Sequence, residues 1–343
     1  MNTTAQPNAI LAKKFSLREG WCMAFPSDNE VQILQSIYAA PAFTLKDPQC
    51  AGWVKKAFEK LNGKWTVQAI LQVTPDSRQE QLLTLLTQLQ RRYLYDVSLQ
   101  EQSVFPPWLS QRLAYQKTAL DAYTDVVAEK TVAISGSGKL ASQVATMAGQ
   151  LGFAGVYWLN GAQHQNVPGN IEQVHLHDNS ALEQALNSLR PDLIICADDV
   201  FSVRRLQTIE RYSQRHATRW VVTRVDGWHI QVGPCFIPGQ SGCLSCWLNS
   251  AAMEPVTTLL NAIPESELAR LQQQAENPAF SAIAAGMLIS DLPTLMGIPS
   301  QNLNGSASLT LARYTRLDMA EFSVSTTHVH KHTCCSQCAG IAA

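Results

Sequence analysis

Two distant Cys-x-x-Cys pairs constrain this chain more than anything else in it. Cys243 and Cys246 close the segment that runs from Gly233-Pro234 through Pro238-Gly239, and Cys335 and Cys338 follow His332 near the C-terminal end. Two intervening residues let both sulfurs of a pair reach one tetrahedral ion, and two such pairs complete a closed, all-thiolate zinc site. A closed site keeps no coordination position for a substrate, so the zinc expected here is a structural staple. The competing reading is a pair of disulfides or incidental thiols. Nine cysteines without an export signal favour metal, because cytosolic thiols stay reduced.

A chain of 343 residues has room for two or three domains with separate cores. Charged residues make up 15%, below the usual level of roughly 25%, and the net charge is -1. That balance leaves no basic footprint for nucleic acid. No apolar run approaches the roughly 20 residues that span a bilayer, and Met1–Ala12 reads as neither an export signal nor a transit peptide. A cytoplasmic protein without a membrane partner is expected.

Three regions emerge from the patterning. Residues 1–97 alternate first with period two and then with helical period. Strands are expected at Trp21–Phe25, Val31–Leu34 and Ala42–Leu45. Helices are expected at Ala51–Leu61, closed by Asn62-Gly63, from near Thr66, and over Ser77–Arg92, where Leu82, Leu85, Leu86 and Leu89 share a face. Three short strands followed by three helices describe a winged-helix-like module. Residues 98–128 read as a linking segment with one helix. Residues 129–343 alternate strand and helix: Lys130–Ser135, a stretch to Leu151, Val156–Leu159, Ser180–Leu189, Leu193–Ala197, Val203–His216 and Arg219–Thr223. That order predicts a doubly wound, Rossmann-like, mostly parallel sheet, so the fold class is α/β. Helical sequence over Glu254–Gly297 and strands at Ser308–Tyr314 and Glu321–Ser325 complete the region.

Gly136-Ser-Gly138 after a strand suits a phosphate loop, in which glycine lets backbone amides at a helix start meet an anion. Ala141 stands where a third glycine would fall, and no acid follows Leu159 to hold a ribose. A tight strand-to-helix turn is the favoured reading. Asp198 and Asp199 follow a later strand at the mouth of the sheet, with Arg204 and Arg205 downstream, so Gly136, Gly138, Asp198 and Arg204 are the candidates for a degenerate nucleotide site. His328, His330 and His332 read as a solvated strand end. Cys235 and Cys334 are spare thiols, Cys22 and Cys50 suit small apolar positions, and Trp220 and Trp228 suit core or interface. His216 and His229 have no nucleophile neighbour.

From about Glu129 onward the chain resembles the ThiF/MoeB-like superfamily, relatives of the ubiquitin-activating enzymes. Within it, the chain is more similar to the ThiF-like partner proteins of azole-forming cyclodehydratases in ribosomal-peptide pathways. The segment from Gly233-Pro234 through Pro238-Gly239 to Cys243 and Cys246 carries their signature, and His332 to Gly340 carries their C-terminal ending. Residues 15–97 look like their leader-peptide recognition element. The resemblance implies a subunit without its own chemistry, which presents a precursor peptide to a YcaO-type cyclodehydratase. Azolines or azoles then form there on Cys, Ser or Thr, and ATP is used by that partner. It also implies a homodimer within a larger synthetase complex. The leader would add as a strand beside Ala42, Phe43, Thr44 and Leu45, with Arg91, Arg92 and Tyr93 at the end of the long helix as the other wall. The alternative is an ATP-dependent adenylating enzyme of the microcin or pantocin type.

Overall fold

The computed structural model describes residues 8–18, 21–34, 38, 40–49, 51–90, 92–97, 109, 120–160, 170–198, 202–251, 253, 256–257, 263, 267, 270, 277–297, 308–333 and 335–338. The chain divides into two units, Met1–Leu120 and Asp121–Ala343.

The first unit carries two three-stranded antiparallel sheets. One has β1 (Lys14–Leu17) between β5 (Asn62–Thr66) and β6 (Leu94–Asp96). The other runs β2 (Cys22–Ser27), β3 (Glu30–Leu34), β4 (Phe43–Lys46). Between and around them lie α1 (Asn8–Leu11), α2 (Trp53–Phe58), α3 (Val67–Leu71) and α4 (Asp76–Gln90). Phe15, Val31, Ile33, Val54, Phe58 and Leu86 form the core. Leu82, Leu86 and Leu89 are the buried stripe of α4, as their spacing predicts. Thr66 starts α3 by accepting the Ala69 N–H at 3.3 Å. The simple series of three strands and then three helices is corrected, because β1, β5 and β6 interleave with the helices. Asn62-Gly63 opens β5 instead of closing a helix. Cys22 is also corrected: it lies exposed on β2.

The second unit is built on an eight-stranded sheet in the order β14-β13-β12-β11-β10-β7-β8-β9. After α5 (Leu120–Val127), β7 (Thr131–Ser135) starts mid-sheet and α6 (Gly138–Ala148) leads to β8 (Gly155–Asn160) and β9 (Ile171–His175). The chain then crosses back through α7 (Asn179–Leu189) to β10 (Leu193–Ala197), α8 (Val203–His216) and β11 (Arg219–Asp226). These strands pair in parallel. The rest of the sheet is antiparallel: β12 (His229–Phe236), β13 (Arg313–Asp318) and β14 (Ser323–His328). This is a mixed α/β unit with a large, parallel-rich, Rossmann-like sheet. The reversal of strand order between β7 and β10 is a topological switch point, where such sheets open a crevice at their strand ends.

Side chains alternate across the sheet. Ala133, Ile194, Trp220 and Val222 pack with Leu182 and Leu186 of α7, Leu206 and Ile209 of α8, and Leu244 and Trp247 of α9 (Leu244–Leu248). Trp220 is therefore a core residue, whereas Trp228 is 60% exposed. The helix α10 (Pro278–Leu295) packs on α6, β11 and β12. By length and composition it could cross a membrane, yet 50% of it is buried inside the protein, including Leu288, Leu292 and Leu295. Its Asp291 is fully buried and accepts from the Ser308 and Thr310 hydroxyls at 2.7 and 2.8 Å.

Candidate metal centre and strand-end loop

The segment before the first cysteine pair fixes where that pair points. β12 carries Gly233-Pro234 inside the sheet, and a Cβ on Gly233 would stand 2.6 Å from the Arg313 carbonyl oxygen of β13. Only glycine fits that crossing. The Pro238–Gln240 turn follows, with the Gln240 and Ser241 amides donating to the Ile237 carbonyl at 3.0 Å. Cys243 then lies at the start of α9 and Cys246 one turn in. The second pair returns beside it after β14.

The four thiols lie within 4.8 Å of one another. Cys243 Sγ is 3.7 Å from Cys246 Sγ and 3.5 Å from Cys335 Sγ, and Cys246 Sγ is 3.5 Å from Cys338 Sγ. Four sulfurs bound at roughly 2.3 Å to one tetrahedral ion lie about 3.8 Å apart, while a disulfide needs about 2.05 Å. The group could hold a metal ion, and these are four free thiols. All are at most 9% exposed. The His332 backbone amide points at Cys246 Sγ from 3.4 Å, the kind of donor that steadies a thiolate. Burial pushes the Cys243 thiol far up and takes Cys338 up to about 11. At Cys335 burial also opposes ionisation, but the amides of Gln337 and Cys338 outweigh it and bring the thiol down to about 7. A cation among the sulfurs would supply the charge that the buried thiolates otherwise lack. His328 ends β14, and its ring stacks on that of His330 with centroids 5.8 Å apart. Cys235 is a buried thiol on β12, pushed up to about 12 by burial. Cys334 lies outside the described residues.

Sequence reasoning missed Glu210. Its carboxylate is 5% exposed in the middle of α8, accepting from Trp220 Nε1 at 2.8 Å, Gln214 Nε2 at 2.9 Å and the Leu244 amide at 3.4 Å. It thus ties α8 to β11 and to the first turn of the cysteine helix. Burial raises its pKa against the pull of those three donors. The signal was present: Leu206, Glu210 and Ser213 fall on one helical stripe, so an acid stands on the buried face.

At the switch point, Gly136 is required by close approach. A Cβ there would lie 1.9 Å from the Ala197 carbonyl oxygen at the end of β10. Gly138 begins α6 at φ 84. Asp198 accepts from the Ser137 amide at 3.4 Å and from its hydroxyl at 3.2 Å, and it is ion-paired with Arg205. A carboxylate of the protein's own therefore occupies the donor that a phosphate would use. Gly136, Gly138 and Asp198 come together, but Arg204 does not join them; it lines a separate cavity beside α8. Asp199 and the segment 161–169 after β8 lie outside the described residues.

In the first unit β4 is an edge strand. Phe43 and Leu45 turn toward the core, and Thr44 is exposed. Next to the Glu30–Lys46 pair, the Asp47 amide donates to the Asn29 carbonyl at 2.8 Å. That bond makes Glu30–Lys46 a wide pair, so by alternation the Thr44 and Lys46 amides face the outer edge. Tyr93 donates its hydroxyl to the Ala42 carbonyl at 3.4 Å and packs edge-on against Trp21 at 4.7 Å. Arg92 is exposed beside it, and Arg91 lies outside the described residues.

No protein-family model matches the chain, and no curated protein matches it. Solved structures do. A heterocyclase in complex with substrate and cofactor superposes with a TM-score of 0.63 at 12% identity, over 95% of this chain and 39% of that one. The heterocyclase TruD gives 0.62 at 13% identity, over 95% and 43%. MccB of E. coli with ATP gives 0.60 at 12% identity, over 95% and 99%. The chain spans about two-fifths of the heterocyclase chains and nearly all of MccB. At such identities the likeness is one of fold.

Proposed function

We propose that the chain is a leader-peptide-binding, ThiF-like subunit that presents a ribosomal precursor peptide to a YcaO-type cyclodehydratase for azoline or azole formation. The observation that carries this reading is the heterocyclase likeness, which takes in 95% of this chain but only 39% of the longer one. Ring closure belongs, in this reading, to the YcaO-type partner. Residues 1–97 form a winged-helix-like recognition module, 98–128 the link, and 129–343 the ThiF-like part with structural zinc on Cys243, Cys246, Cys335 and Cys338. The leader adds as a strand beside Ala42–Leu45, walled by Arg91, Arg92 and Tyr93, in a cytoplasmic homodimeric complex. Main-chain bonds to an edge strand give affinity, and side-chain pockets give register.

The outward amide of Thr44 makes the test specific. In the full chain, Thr44→Pro should abolish binding of a fluorescent leader peptide while leaving the melting transition in place, since proline removes an edge donor without breaking the β3–β4 ladder. Undiminished leader binding by folded Thr44→Pro would exclude this edge. Failure to stimulate a YcaO-type enzyme on any precursor would exclude the subunit role.

A second reading, an adenylating enzyme acting on a bound peptide, is favoured by the 99% coverage of MccB, which was solved with ATP. Gly136, Gly138, Asp198 and the nearby arginines would then hold nucleotide. The Asp198–Ser137 contact weighs against it. Micromolar ATP binding by calorimetry, or pyrophosphate release with a peptide, would replace the first reading with the second.

A further inference from the structure

Beside the cysteine knuckles, which supply Leu244 and Gln337, α8 carries a cavity of about 430 Å³ lined also by Asn179, Arg204, Gln207 and Arg211, among others. That volume lies within the roughly 300–1,000 Å³ typical of ligand sites. Its lining surface is mostly apolar, and two guanidinium groups border it. Arg204 and Arg211 stand two helical turns apart on one face, and neither has a carboxylate partner among the described residues. Arg211 Nη2 donates to Thr208 Oγ1 at 3.3 Å, and that hydroxyl donates to the Arg204 carbonyl at 3.1 Å. This chain of bonds draws Arg211 back along the helix toward Arg204. Glu210 also borders the space, but Trp220, Gln214 and Leu244 already engage its oxygens. Asp178, next to Asn179, is committed to capping α7 through the Ala181 amide at 2.8 Å.

We infer that this cavity binds an acidic peptide segment presenting two carboxylates. Guanidinium groups match carboxylates in planar, paired hydrogen bonds. Asn179, Gln207 and Gln337 offer carboxamides, each with donors and an acceptor, which complement the N–H and C=O groups of a peptide backbone. The contribution of the two guanidinium groups is electrostatic and weakens with salt. The inference goes beyond the leader-peptide reading and does not rest on it, because the leader edge lies on β4.

The test is fluorescence anisotropy on the full chain with a labelled peptide carrying two aspartates separated by two glycines. The same peptide with asparagines and inorganic phosphate serve as competitors. The acidic peptide should bind, and neither competitor should displace it at equal concentration. Arg204→Gln combined with Arg211→Gln should weaken binding about tenfold, the sum of two exposed ion pairs. Arg215→Gln, which removes a cation on the same helix outside the cavity, should leave binding unchanged. Gln207→Glu, which places an acid between the two arginines, should weaken it without touching either. Equal binding of the asparagine peptide, displacement by phosphate, or full binding by both the double variant and Gln207→Glu would overturn the proposal.

Discussion

The two ends of one sheet treat charge in opposite ways. At the cysteine end, four buried thiols crowd together in a group that could hold a cation. At the glycine-loop end, the donor of the strand-to-helix turn is taken by Asp198, which is itself paired with Arg205. One site could hold an ion, and the other carries an internal ion pair. One sheet thus carries two unlike arrangements, a cluster of thiols and a glycine turn tied to an internal ion pair.

The strongest way to break this comparison is at the thiols. Cys243→Ser, or chelation of the wild type, should unfold the second unit, since site formation contributes on the order of 10 kcal/mol in small zinc modules. Metal analysis with thermal melting checks it, and an unchanged melt of metal-free protein would end the staple role. Next is Gly136→Ala. With the Cβ placed 1.9 Å from the Ala197 carbonyl oxygen, either β7 or β10 must shift. A loss of about 4 kcal/mol or more in denaturant unfolding is expected, the range reserved for special backbone positions. Gly138→Ala, at a helix start, should be milder.

How much of this was legible in advance follows from residue chemistry. Val203–His216 was readable to its bounds, because Ser202 caps the helix and its buried stripe is continuous. The cysteine pairs were readable because their spacing encodes geometry directly. Strands β1, β5, β6 and β9 were not: Asn-Gly-Lys-Trp-Thr and Ile-Glu-Gln-Val-His are short and half-exposed, and pairing alone makes them strands. Arg204 and Arg205 are adjacent, and only the phase of the helix decides which one meets Asp198. No sequence pattern showed that Asp198 would turn back onto Ser137.

Smaller effects sharpen the contrast. Glu210→Gln should destabilise by about 1–3 kcal/mol, because an amide cannot accept from Trp220, Gln214 and Leu244 at once. Chemical unfolding checks it. Smallest is Asp192→Asn. Burial opposes ionisation of Asp192, but the Lys130 ammonium at 2.8 Å and the Thr131 amide at 2.9 Å outweigh it and hold its pKa below the usual value. A depressed carboxylate stabilises above its unfolded pKa of about 3.9, and that contribution fades as pH falls through the lower, folded value. Wild type and Asp192→Asn should thus differ near pH 7 and converge in acid, and a pH series of melting curves would show it. A gap that widens in acid would contradict this account.

Helix α8 joins these features, and its construction has a consequence for how the chain can change. Arg205 serves the loop, Glu210 the cysteine helix, Leu206, Ile209 and Tyr212 the core, Ser213 the Thr218 carbonyl, and Arg215 the neighbouring Glu183 of α7. The helix has little idle face. One inserted residue rotates everything after it by about 100°. A single-residue insertion near Leu206 would therefore misdirect Glu210, Tyr212 and Ser213 together, whereas most single replacements disturb one partner at a time. Length variation should be tolerated far less here than in α4, whose buried stripe is three leucines facing a single core.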